Sequence, residues 1–396
     1  MQARLKHIFY LCNLILVTVS CNRNDGLFER LSPSETNIKF SNKLEDMERF
    51  GILYYLYYYN GGGVATGDIN NDGLTDIYFT ANSRAGNKLY LNKGNFKFED
   101  ITEAAGVSGT ADWCSGVTMA DINGDGFLDI YVSAVVNDRF GLKGRNELFI
   151  NNGNGSFTES AAKYGLALAA YSTQSAFFDY DHDGDLDCYI LNQSHHPHAN
   201  IIDTSNRRKY DSLSGDRLYR NNLISQVTGD TVPLRPGGPG RAGPVFTDVT
   251  FTAGIYQSNL GYGLGLAISD LNNDGWDDIY VGNDFHENDY YYVNNGDGTF
   301  SEKGAEHFRH YSRFSMGNDI ADYNNDGQLD LITVDMLPRD EKVLKTYGSD
   351  ENPDIYKFKL TRNGFQHQYS KNCLQRNNGN GTSFSETALI SGVSAT

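Results

Sequence analysis

Cysteine is scarce in this chain, five in 396 residues, and no two stand as a Cys-x-x-Cys pair. That excludes a zinc ribbon or a dithiol redox centre built from cysteine. Cys114, Cys188 and Cys373 are odd in number and widely spaced, so they do not form a disulfide framework. Cys188, in a strand-like apolar run, reads as a small buried hydrophobe. Proline is equally rare, 8 against 42 glycines, which suits many short strands joined by tight turns. Basic residues are outnumbered 33 to 50, for a net charge of −17. Phosphate binding needs clustered Lys and Arg, so nucleic acid is excluded as a partner. No Ser-His-Asp set or activated nucleophile can be picked out. The apolar run from Ile8 to Val19 is too short to span a bilayer.

That run follows Arg4 and Lys6 and ends at Ser20-Cys21, the layout of an export signal over residues 1–21. A small residue before Cys resembles a bacterial lipobox, although Thr18 stands where the motif prefers Leu. The expectation is an exported protein, lipidated at Cys21 and held at the outer membrane or cell surface, or else simply secreted. Residues 22–39 would be a polar tether.

What the chain has in quantity is one acidic loop, Asp-x-(Asn/Asp)-x-Asp-Gly-x-x-Asp, in five copies starting at Asp68, Asp121, Asp179, Asp270 and Asp322. Hard oxygen donors at alternate positions around a glycine turn are what Ca²⁺ requires. The expected ligands are the side chains at positions one, three, five and nine and the carbonyl at seven. In the first two loops these are Asp68, Asn70, Asp72, Leu74 and Asp76, then Asp121, Asn123, Asp125, Phe127 and Asp129. The third offers Asp179, Asp181, Asp183, Asp185 and Asp187. The last two offer Asp270, Asn272, Asp274, Trp276 and Asp278, then Asp322, Asn324, Asp326, Gln328 and Asp330. An EF-hand would need Glu at position twelve. Here that position is Phe79, Val132, Ile190, Val281 and Thr333. The acidity of the chain is thus concentrated in about five metal sites rather than in an acidic tail.

Each loop lies in a repeat of the same parts: a lead-in run, the loop, a strand such as DIYFT, a second such as KLYLN, a glycine turn and a last strand. The period is of propeller-blade size, so the fold expected is an all-β propeller of four-stranded blades. The blades fall at about 60–105, 113–165, 171–254, 261–308 and 314–390, within a repeat region 40–396, with inserts at 192–245 and 336–371.

These loops and their flanks resemble FG-GAP/VCBS repeats of integrin-α-like propellers. YYYNGGGVATGDINNDGLTDIYFT from Tyr57, GNDFHENDYYYVNNGDGTF from Gly282 and VDMLPRDEK from Val334 are similar to exported bacterial VCBS-repeat proteins, relatives of cartilage acidic protein. The resemblance implies a calcium-stabilised extracytoplasmic propeller that binds or scaffolds, with an ASPIC/UnbV domain following in a full-length chain. GVSAT at Gly392 parallels GVSGT at Gly106, ahead of the second loop, so the repeat is expected to continue beyond Thr396. A polysaccharide lyase-like enzyme and a structural spacer remain as alternatives.

Other groups invite weaker readings. His195, His196 and His198 could bind a transition metal but sit in a polar stretch expected to be an exposed loop. Asp284, His286, Glu287 and Asp289 are expected in a solvated turn. The run Tyr54 to Tyr59 is expected as a lead-in strand on the first blade. PGGPGRAGP from Pro236 reads as a linker. In an up-and-down blade the calcium loops and glycine hairpins share one face. The second turns, with both inserts, lie on the other. Recognition concentrates on such variable loops. A protein or glycan partner is therefore expected at Ser194–Asn206, Phe285–Asn288 and Lys342–Tyr356 on the insert face.

Overall fold

The structure is a computed structural model and describes residues 27–44, 50–197, 203–225, 232–233, 245–346 and 352–395. The export segment with Cys21, His198, the Pro236 linker and residues 347–351 of the second insert lie outside the described residues. Among the described residues, no helix is long and apolar enough to cross a membrane.

Among the described residues, five four-stranded antiparallel sheets form the bulk of the fold. The first comprises Val64–Gly67, Asp76–Phe79, Lys88–Asn92 and Phe98–Asp100. The second comprises Cys114–Ala120, Asp129–Ala134, Glu147–Asn151 and Phe157–Glu159. The third comprises Ser172–Phe178, Asp187–Asn192, Arg217–Asn221 and Phe246–Asp248. The fourth comprises Gly263–Ser269, Asp278–Asn283, Tyr290–Asn294 and Phe300–Glu302. The fifth comprises Gly317–Ala321, Asp330–Val334, Cys373–Asn377 and Phe384–Glu386. In each, the strands pair in chain order, up and down, consistent with propeller blades.

Side chains on alternate faces of a strand serve two different neighbours. From the first sheet, Tyr78 and Leu89 pack on Ile130, Val132 and Phe149 of the second. Tyr131 and Leu148 then pack on Cys188, Ile190 and Tyr219, and Tyr189 and Leu218 on Ile279, Val281 and Tyr292. Tyr280 and Tyr291 meet Leu331 and Phe384. Burial on both faces is why the second strands read as continuous apolar runs. The first strands of successive sheets lie side by side around a centre, bridged by Ser115 Oγ to Ser172 O (2.6 Å) and Thr118 Oγ1 to Ser175 O (2.7 Å). Gly116 makes this approach possible: a Cβ there would lie 2.3 Å from Thr173 O.

The tyrosine run corrects the sequence reading. Residues 52–59 form turns, not a strand, with Tyr55 N donating to Gly51 O (3.0 Å) and Tyr58 N to Tyr55 O (3.1 Å). Tyr55, Tyr57 and Tyr58 turn inward and cap the centre against Trp113, Tyr171 and Tyr262, while Tyr54 and Tyr59 stay exposed. A strand would alternate these rings between two faces. The turns bring Tyr55 and Tyr57 onto a central cavity that Gly63 and Gly116 also line.

Candidate metal centres and the insert-face pocket

The five loops share one backbone path. Position six is a glycine in the left-handed region, φ 84° at Gly73, 88° at Gly126, 94° at Gly184, 91° at Gly275 and 82° at Gly327. Position four is left-handed too, at Asn71, Gly124, His182, Asn273 and Asn325. The residue types there (Asn, Gly, His) are those that tolerate this conformation, a signal the sequence carries and the ligand pattern does not use.

Position one accepts twice from the backbone. Asp121 Oδ1 takes Asp125 N–H (2.9 Å) and Oδ2 takes Gly126 N–H (2.8 Å), and the other loops repeat both bonds. Position five accepts from position seven, as in Asp125 Oδ1 from Phe127 N–H (2.9 Å). Position nine is the buried anchor. Asp129 Oδ2 accepts from Ile122 N–H (3.0 Å) and Oδ1 from Asn151 N–H (2.8 Å) at the end of the third strand. Burial pushes the carboxyl of Asp129 up to about 7 and that of Asp187 to about 9, against the N–H donors; neighbouring loop carboxylates add to the rise.

Among the described residues, one group brings three carboxylates close enough to share an ion: Asp179, Asp181 and Asp187 of the third loop, with ligand oxygens within 4.8 Å of one another. Asp181 Oδ1 is buried there without a hydrogen-bond partner. Converging carboxylates with an unmet oxygen fit a hard divalent cation. In the other four loops position three is Asn, and its Nδ2 donates to position five in three of them, as from Asn123 to Asp125 Oδ2 (2.9 Å). An ion would accept the Asn carbonyl oxygen instead.

The loops are also tied to each other. Asn151 Nδ2 donates to Leu128 O of its own loop (3.1 Å) and to Ile69 O of the preceding loop (2.8 Å). Asn221 repeats this to Ile122 O (3.4 Å), Asn294 to Tyr180 O (2.8 Å) and Asn377 to Leu271 O (2.8 Å). Asn71 reaches Gly126 O (2.9 Å), and His182 stacks on Trp276 at 3.9 Å. The recurring final Asn of ELFIN, RLYRN and YYYVN was the available sequence signal for this clasp.

On the opposite face a second set of polar residues ties strand two to strand three. Asn87 accepts from Ala81 N–H (2.9 Å), Asn146 from Ala134 (2.9 Å) and Asn372 from Asp335 (2.7 Å). In the third and fourth sheets the residue is an aspartate: Asp216 accepts from Asn192 N–H (2.9 Å) and Asp289 from Asn283 N–H (2.8 Å). Burial pushes both carboxyls up to about 7.

The turn 284–289 is therefore not solvated as expected. Asp284, Glu287 and Asp289 are buried, and each has an internal partner. Tyr57 Oη donates to Asp284 (3.0 Å), Tyr280 Oη to Asp289 (2.7 Å), and Arg207 Nε to Glu287 (3.1 Å). The inserts close over this turn: Gln366 N–H donates to Asn288 Oδ1 (3.1 Å), and Thr204 Oγ1 to Asn363 O (2.6 Å). Two long inserts converging on one turn exclude water from it, which local sequence does not reveal. Glu287 and Asn288 are thus covered, and of the expected docking segment Phe285–Asn288 only Phe285 and His286 are part-exposed.

Beside this cap lies a pocket of about 640 Å³, walled by Tyr54, Phe140, Tyr171 and Tyr262 with Arg139 and His195 among its polar groups. His195 Nδ1 lies 2.6 Å from Ser214 Oγ, and His196 contacts Ser194 and Tyr262. These histidines are held by hydroxyls and rings, and among the described residues they belong to no metal-ligating group.

Residues 68–132, 134–190 and 270–333 match the FG-GAP-like repeat family, and all five acidic loops fall inside these segments. Cartilage acidic protein 1 of Xenopus tropicalis is 28% identical over 211 residues, 52% of this chain and 30% of the relative. The Homo sapiens protein is 28% identical over 200 residues, covering 48% and 26%. The chain thus spans less than a third of these relatives. Among solved structures, an Agrocybe aegerita lectin that recognises non-reducing terminal N-acetylglucosamine is similar at TM-score 0.39 and 17% identity, covering 81% of this chain and 64% of the lectin. The V. cholerae biofilm matrix protein Bap1 is similar at TM-score 0.35 and 14% identity, covering 70% and 35%.

Proposed function

We propose that this FG-GAP-like repeat protein, a relative of cartilage acidic protein 1, is a calcium-stapled propeller that serves as an extracytoplasmic binding or adhesion scaffold. The observation that carries this reading is the division of labour between its two faces. One face holds five loops of one length and one hydrogen-bond plan, tied to each other by Asn151, Asn221, Asn294 and Asn377. Loops so uniform suit a structural ion. The other face carries the inserts and the aromatic pocket at Tyr54 and Tyr171. Pockets of this size with apolar walls and a few polar groups are where ligands bind.

Binding is favoured over catalysis because the acidic groups of the turn 284–289 are engaged internally. Asp284 is bonded to Tyr57, Asp289 to Tyr280 and Ser315, and Glu287 to Arg207. Calcium, in this reading, lies away from the ligand. Export and lipidation at Cys21 complete the proposal; Cys21→Ser should release the protein from membranes.

The test is a glycan and peptide array probed with the calcium-loaded protein. Ligands captured by the parent should be lost with the double substitution Tyr54→Ala and Phe140→Ala, while its calcium-dependent melting is unchanged. Capture that survives the substitution, or that requires the Asp loops to contact the ligand, would overturn the assignment of faces.

A further inference from the structure

We propose that a cavity between the first and second sheets, lined by Glu147 and Glu159, binds the ammonium group of a small organic amine. The argument starts from register. Every sheet ends its fourth strand with an acidic residue: Asp100, Glu159, Asp248, Glu302 and Glu386. In three sheets a cation stands beside it. Lys88 lies 3.2 Å from Asp100, Arg217 lies 4.0 Å from Asp248, and Lys371 pairs with Glu386, whereas in the fourth sheet Arg207 pairs with Glu287. Lys88 and Arg217 each open the third strand of their sheet. In the second sheet that position is Glu147, so a carboxylate replaces the cation and lines the same cavity as Glu159.

The replacement is not neutralised from within. Among the described residues, neither Glu147 nor Glu159 has an ion pair, and exposed Arg145, on the lining of the same cavity, pairs with neither. Glu147 is 5% exposed. Its Oε1 accepts from Thr110 N–H (2.8 Å) and Thr110 Oγ1 (2.6 Å), while its buried Oε2 has no hydrogen-bond partner. A buried carboxylate oxygen left unmet is costly, and a charged donor satisfies it best. The cavity has a volume of about 600 Å³, room for a small molecule rather than a single ion. Among the described residues, Glu147 and Glu159 belong to no group with three ligand atoms in reach of one another, which favours an ammonium over a metal.

The experiment uses 1,5-diaminopentane as probe and 1,5-pentanediol as its uncharged counterpart. Saturation-transfer NMR on the calcium-loaded protein should detect the diamine and not the diol. Glu147→Gln keeps the acceptor for Thr110 but removes the charge, and should weaken diamine binding about tenfold or more. Glu159→Gln, at an exposed position, should weaken it in the same direction and carries the test if Glu147→Gln does not fold. Glu99→Gln, an exposed acid elsewhere on the first sheet, should change nothing. Absence of diamine binding to the parent, or equal binding by parent and both variants, would overturn the proposal.

Discussion

Asn151 Nδ2 donates to the carbonyl oxygen of Ile69 at 2.8 Å, and so fastens the third strand of the second sheet to the acidic loop of the first. The same amide reaches Leu128 O at 3.1 Å, and its backbone N–H meets Asp129. One residue therefore couples two loops and a buried carboxylate. Asn151→Ala would leave buried carbonyls unmet, and should cost about 1–3 kcal/mol. Asn92 Nδ2, at the same register in the first sheet, donates to Thr75 O of its own loop, at 2.8 Å. Asn92→Ala should cost clearly less. Urea unfolding of the two variants side by side checks the difference; equal losses would show that the inter-sheet bond is not what the amide contributes.

Asp216 and Asp289 stand where three other sheets have asparagine. Burial raises both carboxyls to about 7; Tyr189 Oη and the Arg217 charge oppose this at Asp216, Tyr280 and Ser315 at Asp289, where Asp335 adds to it. A folded pKa raised above the unfolded one means that the native state holds the extra proton. Stability from that proton is present at low pH and is lost as pH rises towards about 7. Asp216→Asn and Asp289→Asn should therefore gain on the parent between pH 5 and pH 8, by about 2–3 kcal/mol per site. Asn146 already makes the equivalent contact, its Nδ2 lying 3.1 Å from Tyr131 Oη. Melting curves at the two pH values are the readout, and parallel pH profiles for parent and variants would refute the assignment.

Arg207 and Glu287 join the first insert to the turn 284–289, with side chains 14% and 1% exposed. Glu287→Ala leaves a largely buried guanidinium without its partner, a loss of about 3–5 kcal/mol for a pair of this kind. The effect should be local. Hydrogen exchange should quicken at residues 204–210 and 359–368 while the sheets stay protected. Uniform deprotection of all five sheets would mean that the cap is part of one cooperative unit with them.

Much of this architecture was legible in the sequence because the repeat imposes it. Runs such as DIYVS and ELFIN, with a glycine turn after each, fixed strands and hairpins, and Asp68 through Asp330 marked the loops. The position-nine carboxylates were marked by the same pattern, but their burial was not. What escaped depended on contacts between distant segments. Tyr55 and Tyr57 bond to Gln193 and Asp284, far along the chain, and nothing local distinguishes them from strand residues. Glu287 reads as a surface acid until Arg207 and Gln368 are brought onto it. Asn151 is ordinary in its own strand; its role exists only against the neighbouring sheet.

Calcium in all five loops is the central claim. Each site would contribute about 1.5 kcal/mol at roughly 1–2 mM calcium with a Kd of roughly 10⁻⁴ M. The most direct measurement is equilibrium dialysis against calcium, with the metal bound per chain counted and the melting temperature followed with and without chelator. The account predicts about five ions per chain and a rise on the order of 10 °C when calcium is present. One ion or none per chain, or a melting temperature indifferent to chelator, would contradict it.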